Sequence, residues 1–306
     1  MRHLTAMHDL TPDELLDLLD LAEALQQEKV RNGFLAPRLK GKTVAMTFEK
    51  PSLRTRAAFE VATADLGAHP VFFGPNEVFL SQDGGDRETI SDIVHNIERF
   101  ADAIVARVHA HESIEEMAVV SAVPVINALC DRHHPTQAIC DLLAIRRHFS
   151  GFAGLTLAWV GDGNNVCASL AQACDLVGIP FRASSPGGYA LPDEITQELS
   201  GYQFFAQPEQ AVADADIVVT DTWISMGSEA ESVKRRKVFP PYRVTPELMA
   251  RAKPQAVFMH CLPAHRGEEV SAEVIDGPQS IVFDEAICRL YIARALLVRM
   301  IDGKEA

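Results

Sequence analysis

The sequence predicts an α/β fold with two doubly wound parallel-sheet domains joined by helices. Short apolar runs alternate with amphipathic helical stretches almost from end to end, which is typical of parallel sheets covered by helices on both faces. The chain has 306 residues, a length that fits two domains of about 150 residues better than one core. We therefore expect two α/β domains in succession.

The first half of the chain contains four apolar runs that predict strands, with helical stretches between them. The strands are predicted at residues 43–48, 70–73, 103–108 and 124–127. The helices are predicted near residues 54–66, 88–100 and 112–121, after an earlier helix that starts at Thr11-Pro12-Asp13-Glu14. This half predicts a first domain over residues 1–133.

The second half repeats the pattern after a helix predicted over residues 134–150, where Pro135 suits a first turn. Glycines at 151 and 154 follow it, so we expect this helix to link two domains. Strands are predicted at residues 155–160, 179–183, 203–205, 216–220, 256–260 and 280–283. The second domain would span residues 151–283, and the apolar helical stretch 284–306 would pack back onto the first domain.

Composition excludes several functional classes. Apolar residues make up 47% of the chain, and no run approaches the roughly 20 apolar residues of a membrane span. The N-terminus lacks the apolar core of a signal peptide, so we expect a cytoplasmic protein. The formal net charge of −14 argues against nucleic acid or a membrane surface as partner, because both attract positive charge.

The cysteines and histidines indicate neither disulfides nor a metal. The six cysteines include no C-x-x-C pair, and reduced thiols are typical of cytosolic proteins. His109-x-His111 and His133-His134 lack a second Cys or His pair at zinc spacing. We expect no metal and no cofactor.

A phosphate site is predicted where the first strand ends. Ser52 can cap the following helix, whose first N–H groups and positive dipole end favour an anion. Arg54 and Arg56 add planar guanidinium groups that match phosphate geometry. The competing interpretation of this segment alone is a capped helix with solvated arginines.

Polar clusters also follow other predicted strands, at the edge where open α/β sheets bind ligands. They are Arg107 with His109, and residues 134–137, 161–165, 221–227 and 260–263. Each cluster alone could be a surface ion pair, a helix cap or a tight turn. The basic run 234–237 is predicted to be a solvated face or a mobile loop rather than an anion site.

Taken together, these segments resemble the transcarbamylase family over nearly the whole chain. Residues 48–56 and His134-Pro135-Thr136-Gln137 resemble the family's two carbamoyl phosphate elements. Residues 221–227 and 260–263 resemble elements of the members that use ornithine, where the members that use aspartate differ. The resemblance implies carbamoyl phosphate as donor and L-ornithine as acceptor, with L-citrulline and phosphate as products.

The resemblance also assigns roles to single residues. Those assigned to carbamoyl phosphate are Ser52, Leu53, Arg54, Thr55, Arg107, His134, Gln137, Cys261, Leu262 and Arg289, with Arg56 in the same basic rim. Those assigned to ornithine are Asn165, Asp221, Ser225 and Met226, and the catalytic set is Arg107, His134, Cys261 and Asp221. Leu53 stands where many relatives carry threonine, so one hydroxyl contact to phosphate is absent.

The resemblance further implies a homotrimer, or a multiple of one, that works in arginine biosynthesis. The loop 80–87 departs from the common family pattern, and Gln82 is the candidate for a contact with a neighbouring subunit's site. The sequence leaves open which group removes the proton from the amine.

Other functions remain open at this point. Putrescine, N-acylated ornithine or aspartate could replace ornithine as acceptor. A nicotinamide-dependent dehydrogenase would suit the strand, turn and helix around residues 160–166, but Val166 replaces the third glycine of G-x-G-x-x-G. A non-catalytic binding module would keep the pocket and lose the charge-stabilising residues, which are all present here.

Overall fold

The computed structural model of the chain describes residues 2–75, 77, 88–224 and 229–303. It divides into two compact units, Met1–Cys140 with Cys288–Ala306, and Asp141–Ile287. We call these unit 1 and unit 2. Each contains one sheet whose strand pairs are all parallel, so the predicted fold class is confirmed. Both points where the chain passes from one unit to the other lie inside helices.

The sheet of unit 1 has the strand order β2-β1-β3-β4. Its strands are β1 (Thr43–Phe48), β2 (His69–Phe73), β3 (Ala103–Arg107) and β4 (Val125–Leu129). The two central strands, β1 and β3, are buried along almost their whole length, as expected for a sheet with helices on both faces. Phe48 lies opposite Arg107, so β1 and β3 end at the same edge.

The helices of unit 1 begin and end close to the predicted positions. They are α1 (Pro12–Asn32), α2 (Leu53–Asp65), α3 (Ile90–Ile97), α4 (His111–Val120) and the start of α5 (Pro135–Phe149). In α1, Thr11 Oγ1 accepts from Glu14 N and Glu14 Oε2 accepts from Thr11 N, which forms a capping box. Gly33 ends α1 in the left-handed conformation.

The sheet of unit 2 has the strand order β7-β6-β5-β8-β9. Its strands are β5 (Leu157–Val160), β6 (Phe181–Ser184), β7 (Tyr202–Phe204), β8 (Ile217–Thr220) and β9 (Val257–His260). The strands β5, β8 and β9 are wholly buried. The residues that follow them are the predicted polar clusters.

Most helices of unit 2 are shorter than those of unit 1. They are residues 141–149 of α5, then α6 (Asn165–Leu176), α7 (Asp193–Thr196), α8 (Pro208–Val212), α9 (Ser232–Val238), α10 (Pro246–Met249), α11 (Ala272–Ile275) and residues 282–287 of α12 (Val282–Leu297).

The prediction of a strand at residues 280–283 is wrong. Ser280 makes a single bridge to Phe258, and α12 already begins at Val282. Glu285 N donates to Ile281 O at 2.8 Å, so the apolar residues 281–283 lead into a helix. Phe283 is largely exposed, which a strand of the buried sheet would not allow. A short apolar run does not distinguish these two structures.

The C-terminal residues 288–303 belong to unit 1 and are tied to it by a buried arginine. Arg294 donates from Nε to Asp65 Oδ2 at 3.0 Å and from Nη1 to Gln26 Oε1 at 3.1 Å. Lys29 Nζ lies 2.8 Å from the other oxygen of Asp65. The Asp65 carboxylate therefore joins α1, α2 and α12 within unit 1.

Candidate active site

The first turn of α2 is the place where the sequence predicts an anion site. Ser52 is extended, and its Oγ accepts from Thr55 N at 3.3 Å, so the N-cap prediction is confirmed. Thr55 is buried, whereas the Leu53 side chain is 80% exposed. Leu53 and Arg54 are the first two residues of α2 and so lie at the positive end of the helix dipole.

Arg56 has neighbours of its own in unit 1. Its guanidinium lies 3.7 Å from the centre of the Phe72 ring, and Nε donates to Glu60 Oε1 at 2.8 Å. These contacts orient Arg56 along α2 and over β2. Its membership of a basic rim around phosphate stays a prediction.

Arg107 and His134 are buried at the edge of the unit 1 sheet. Arg107 is the last residue of β3, and His134 directly precedes α5. Burial lowers the pKa of His134 well below its ordinary value, and the positive charges of Arg289 and Arg107 lower it further. The His134 imidazole is therefore neutral and can donate one N–H. Thr136 Oγ1 lies 3.4 Å from its Nδ1.

A cavity in unit 1 brings together further predicted residues. It is lined by Thr55, Ala58, Phe59, Thr136, Gln137, Cys140, Arg289, Ile292, Ala293 and Leu296. Thr55, Gln137 and Arg289 thus come from three different helices to one wall, although they are far apart in the sequence. Polar groups that converge on an otherwise apolar cavity are typical of a small-molecule site.

Two residues of the first motif received no role from the sequence. Lys50 is buried, and burial together with the nearby Arg107 lowers its pKa. Glu49 accepts a short hydrogen bond from His109 N, and its own N–H donates to Arg107 O at 2.8 Å. Burial raises the pKa of Glu49. Lys50 thus lies near the Arg107 charge and Glu49 is bonded to the Arg107 main chain, and only their place within the motif could have indicated this.

In unit 2, Asp221 is the centre of a hydrogen-bonded group. Its Oδ1 accepts from Cys261 Sγ at 3.1 Å and from Thr222 N at 2.7 Å. Its Oδ2 accepts from Asn164 Nδ2 at 2.8 Å. The predicted pair of Asp221 and Cys261 is therefore in contact in the structure.

Asn164 is a functional candidate that the sequence analysis missed in favour of its neighbour Asn165. Asn164 caps α6, where its Oδ1 accepts from Val166 N and Cys167 N at 3.0 Å each, while its Nδ2 holds Asp221. Asn165 is the first residue of α6 itself. An Asn at the N-cap position is a signal that could have separated these two roles.

The basic run 234–237, predicted to be a solvated face or a mobile loop, lies in α9, and its Arg235 side chain is buried. Arg235 is buried, and its Nη1 donates to Asp162 Oδ2 at 2.6 Å and to Trp223 O at 2.9 Å. Its guanidinium also lies 4.7 Å from the Tyr189 ring. Burial raises the pKa of Asp162 to about 6, although the positive charge of Arg235 opposes this shift.

Leu262 follows β9 in a strained conformation that a buried histidine supports. Its φ is +56°, and its N–H donates to His260 Nδ1 at 2.8 Å. Because Nδ1 accepts, the proton of the neutral ring lies on Nε2, which is 3.3 Å from Glu269 Oε1. Burial favours a raised pKa for Glu269, but hydrogen bonds from His260 and from His265 N outweigh it and lower the pKa.

A metal could be held by two groups within the described part of the chain, each with ligand atoms within 4.8 Å of one another. The groups are Asp221, His260 and Cys261, and His265, Glu268 and Glu269. Both ring nitrogens of His260 already take part in hydrogen bonds, to Leu262 and Glu269. Asp221, His260 and Cys261 thus have hydrogen-bond partners within the protein.

Three predicted residues lie outside the described part of the chain, namely Gln82, Ser225 and Met226. Their roles stay predictions. Among the helices of the described residues, none has the length and hydropathy needed to cross a bilayer.

Comparisons with known proteins cover the whole chain. Residues 2–147 match the family described as aspartate/ornithine carbamoyltransferase, carbamoyl-P binding domain, and residues 153–300 match its Asp/Orn binding domain. An ornithine carbamoyltransferase of Archaeoglobus fulgidus is 46% identical over 310 residues, which cover 100% of this chain and 99% of that protein. One of Thermus thermophilus is 46% identical over 290 residues, covering 95% and 93%.

Solved structures similar to this chain carry the same name. The ornithine carbamoyltransferase of Pyrococcus furiosus has a TM-score of 0.93 at 40% identity and covers 99% of this chain and 98% of that one. The crystal structure of the Thermus thermophilus enzyme has a TM-score of 0.90 at 42% identity, covering 98% and 99%. The chain belongs to the aspartate/ornithine carbamoyltransferase family.

Proposed function

We propose that this chain transfers the carbamoyl group of carbamoyl phosphate to the δ-amine of L-ornithine, giving L-citrulline and phosphate. The observation that carries this proposal is the 46% identity to a named ornithine carbamoyltransferase over the full length of both proteins. The Asp221 and Cys261 contact, in segments that differ in the members using aspartate, supports ornithine as the acceptor.

The donor contacts are assigned to unit 1. Ser52, Leu53, Arg54 and Thr55 would bind the phosphate at the first turn of α2, where main-chain N–H groups and the helix dipole favour an anion. Gln137 and Arg289, on the cavity wall, would contact the carbamoyl NH₂. The family resemblance adds the Leu262 carbonyl and Cys261 of unit 2 as further donor contacts.

Charge stabilisation is assigned to Arg107 and His134. When the amine attacks the carbamoyl carbon, negative charge grows on the carbonyl oxygen, and the C–O bond to phosphate then breaks. Arg107 supplies a fixed positive charge, and the neutral His134 supplies one N–H donor that needs no proton transfer. A single buried donor of this kind contributes a factor of about 10²–10³ in turnover.

The acceptor contacts are assigned to Asn165, Asp221, Ser225 and Met226. The ornithine δ-amine has a pKa of about 10, as for lysine, and only its neutral form attacks. Cys261 already donates its thiol proton to Asp221 and is thus placed to orient the amine. The amine proton leaves to Asp221, to the departing phosphate, or to Cys261 as the thiol proton passes to Asp221, and turnover should rise from neutral toward mildly alkaline pH.

An acceptor panel tests the proposal. We expect citrulline and phosphate to form from carbamoyl phosphate and ornithine without added metal or nucleotide. N-acetylornithine, putrescine, lysine and aspartate should react at least about tenfold more slowly, which corresponds to about 1.4 kcal/mol of discrimination. A preference for any of these four amines, or loss of activity with a chelator, would contradict the proposal. The Arg107→Ala variant serves as the control for spontaneous carbamoylation.

We also propose a homotrimer, or a multiple of one, in the cytoplasm and in arginine biosynthesis. The support is the family resemblance, with Gln82 as the residue that completes a neighbouring subunit's site. Mixing Arg54→Ala subunits with Gln82→Ala subunits should restore activity, because some sites in a mixed trimer keep both residues. Mixed trimers that form and stay inactive, when each variant alone is inactive, would contradict a shared site.

A further inference from the structure

The turn between β4 and α5 joins Cys130 to His133 in an unusual way. Cys130 N donates to His133 O at 2.9 Å, and His133 N donates to Cys130 Sγ at 3.2 Å. Asn127 Nδ2 also lies 3.4 Å from Sγ. Both main-chain polar groups of His133 are therefore bonded to Cys130.

The sulfur has a specific task in this turn. In an ordinary β-turn, the carbonyl of the first residue accepts from the N–H of the fourth. Here the main-chain bond runs the other way, from the first N–H to the fourth carbonyl, so the fourth N–H needs a different acceptor. Cys130 Sγ supplies it. His133 is buried, and a buried N–H without an acceptor would destabilise this turn.

The state of the thiol suits an acceptor. Burial raises the pKa of Cys130, so it remains an S–H group with lone pairs on sulfur. Its proton can point to His111 Nδ1 at 3.3 Å or to His133 O at 3.5 Å. The His111 ring meets the His133 ring edge-on with 4.7 Å between centres. The sulfur therefore lies within hydrogen-bond distance of both the His111 ring and the His133 carbonyl.

The residue that follows this turn is His134. Its carbonyl accepts from Gln137 N at 3.1 Å and from Ala138 N at 3.2 Å, which fixes it to the first turn of α5. On the other side, its peptide bond leads to His133, whose position depends on Cys130. The main chain of His134 is thus held between α5 and the sulfur.

We propose that Cys130 is a positioning residue for His134, acting through the main chain of His133. This inference rests on the proposed function, because it concerns the donor that faces the carbamoyl oxygen. Cys130 itself touches neither substrate nor the reacting atoms. Loss of the Cys130 acceptor for His133 N should move the His134 imidazole and lower kcat. The KM for ornithine, whose assigned contacts lie in unit 2, should stay within about twofold.

Two matched pairs of variants test the proposal. Cys130→Thr and Cys130→Val have the same shape and differ only in a hydroxyl that can accept from His133 N. Cys130→Ser and Cys130→Ala form a smaller pair with the same difference. In each pair we expect kcat to be about ten- to a hundredfold lower in the member without the hydroxyl, as for a misplaced catalytic group. Whichever pair folds decides the question.

Cys174 provides the control, because it is equally buried in α6 of unit 2 and has no assigned role. Cys174→Ala and Cys174→Val should leave kcat unchanged even if they lower the melting temperature. Equal kcat values within each Cys130 pair would overturn the proposal. If kcat falls in proportion to melting temperature in the Cys130 variants and in the Cys174 variants alike, the proposal would also be overturned.

A spectroscopic readout separates this inference from the proposed function. An inactive wild-type chain would refute the function alone. In that case, ¹H–¹⁵N spectra of labelled histidine still report on the His134 ring. The Cys130→Val variant should shift its ring signals, and Cys130→Thr should keep them near the wild-type positions. Unchanged His134 signals in Cys130→Val would overturn the positioning role.

Discussion

Replacing Arg235 by methionine removes the counterion of a buried carboxylate. Arg235 Nη1 lies 2.6 Å from Asp162 Oδ2, and the two side chains are only 10% and 9% exposed. Removing one partner of a buried ion pair costs about 3–5 kcal/mol, because the remaining charge is left in a medium of low polarity. Methionine keeps an apolar stem against the Tyr189 ring, so we attribute this cost to lost charge and hydrogen bonds.

The pH dependence of this cost follows from Asp162. Its pKa is raised by burial to about 6 while Arg235 is present, and it should rise further without Arg235. The folded state then binds this proton more tightly than the unfolded state, so stability falls as pH rises through the folded-state pKa. Arg235→Met should therefore lose more unfolding free energy at pH 8 than at pH 5.5.

Tryptophan fluorescence during urea unfolding measures this effect in the right place. The chain has two tryptophans, Trp159 and Trp223, and both are buried in unit 2. Trp159 Nε1 donates to Asp162 O at 2.9 Å, and Trp223 O accepts from Arg235. The fluorescence transition therefore reports on the surroundings of the ion pair.

The neighbouring Arg236 is a matched control. It pairs with Glu268 at 3.0 Å, but its side chain is 57% exposed. Arg236→Met should cost less than about 1 kcal/mol, as for other surface ion pairs. Equal costs for the two substitutions, or a cost for Arg235→Met that does not change between pH 5.5 and pH 8, would refute this reasoning.

Two further predictions concern the candidate site. His134→Ala should lower kcat by about 10²–10³, with partial recovery in His134→Gln. The wild-type kcat profile should show no inflection from His134 near pH 6.5, because the pKa of His134 lies well below that value. Steady-state kinetics from pH 5.5 to 9 check both points. Glu269→Ala should lower kcat by about one to two orders of magnitude, because it removes the hydrogen bond that holds His260, which in turn bonds Leu262 N. Glu269→Gln can still accept from His260 Nε2 and should retain more activity. Equal kcat in the two variants would contradict this prediction.

Much of the fold could be predicted because its signals are local. The Ser52 cap, the Thr11 capping box and the alternation of buried strands with helices follow from neighbouring residues. The strand predicted at residues 280–283 failed because three apolar residues suit the first turn of α12 as well as a strand. Local pattern alone does not decide between them.

The missed parts of the site depend on contacts distant in sequence. In the sequence Arg235 is one charge in a basic run, and its buried partner Asp162 is 73 residues away. Asn164 contacts Asp221, and Glu269 contacts His260, only in the folded chain. The sequence alone therefore did not indicate their roles. The sulfur of Cys130 acts through a turn whose hydrogen bonds run against the usual direction.

The proposed reaction forms a bond between the carbamoyl carbon and the δ-nitrogen of ornithine. The most direct measurement supplies ¹³C-carbamoyl phosphate and δ-¹⁵N-ornithine and records ¹³C and ¹⁵N NMR spectra of the product. We predict citrulline with a one-bond ¹³C–¹⁵N coupling, formed by the wild-type chain far faster than by Arg107→Ala. A product without this coupling, or equal rates with and without the protein, would contradict the claim.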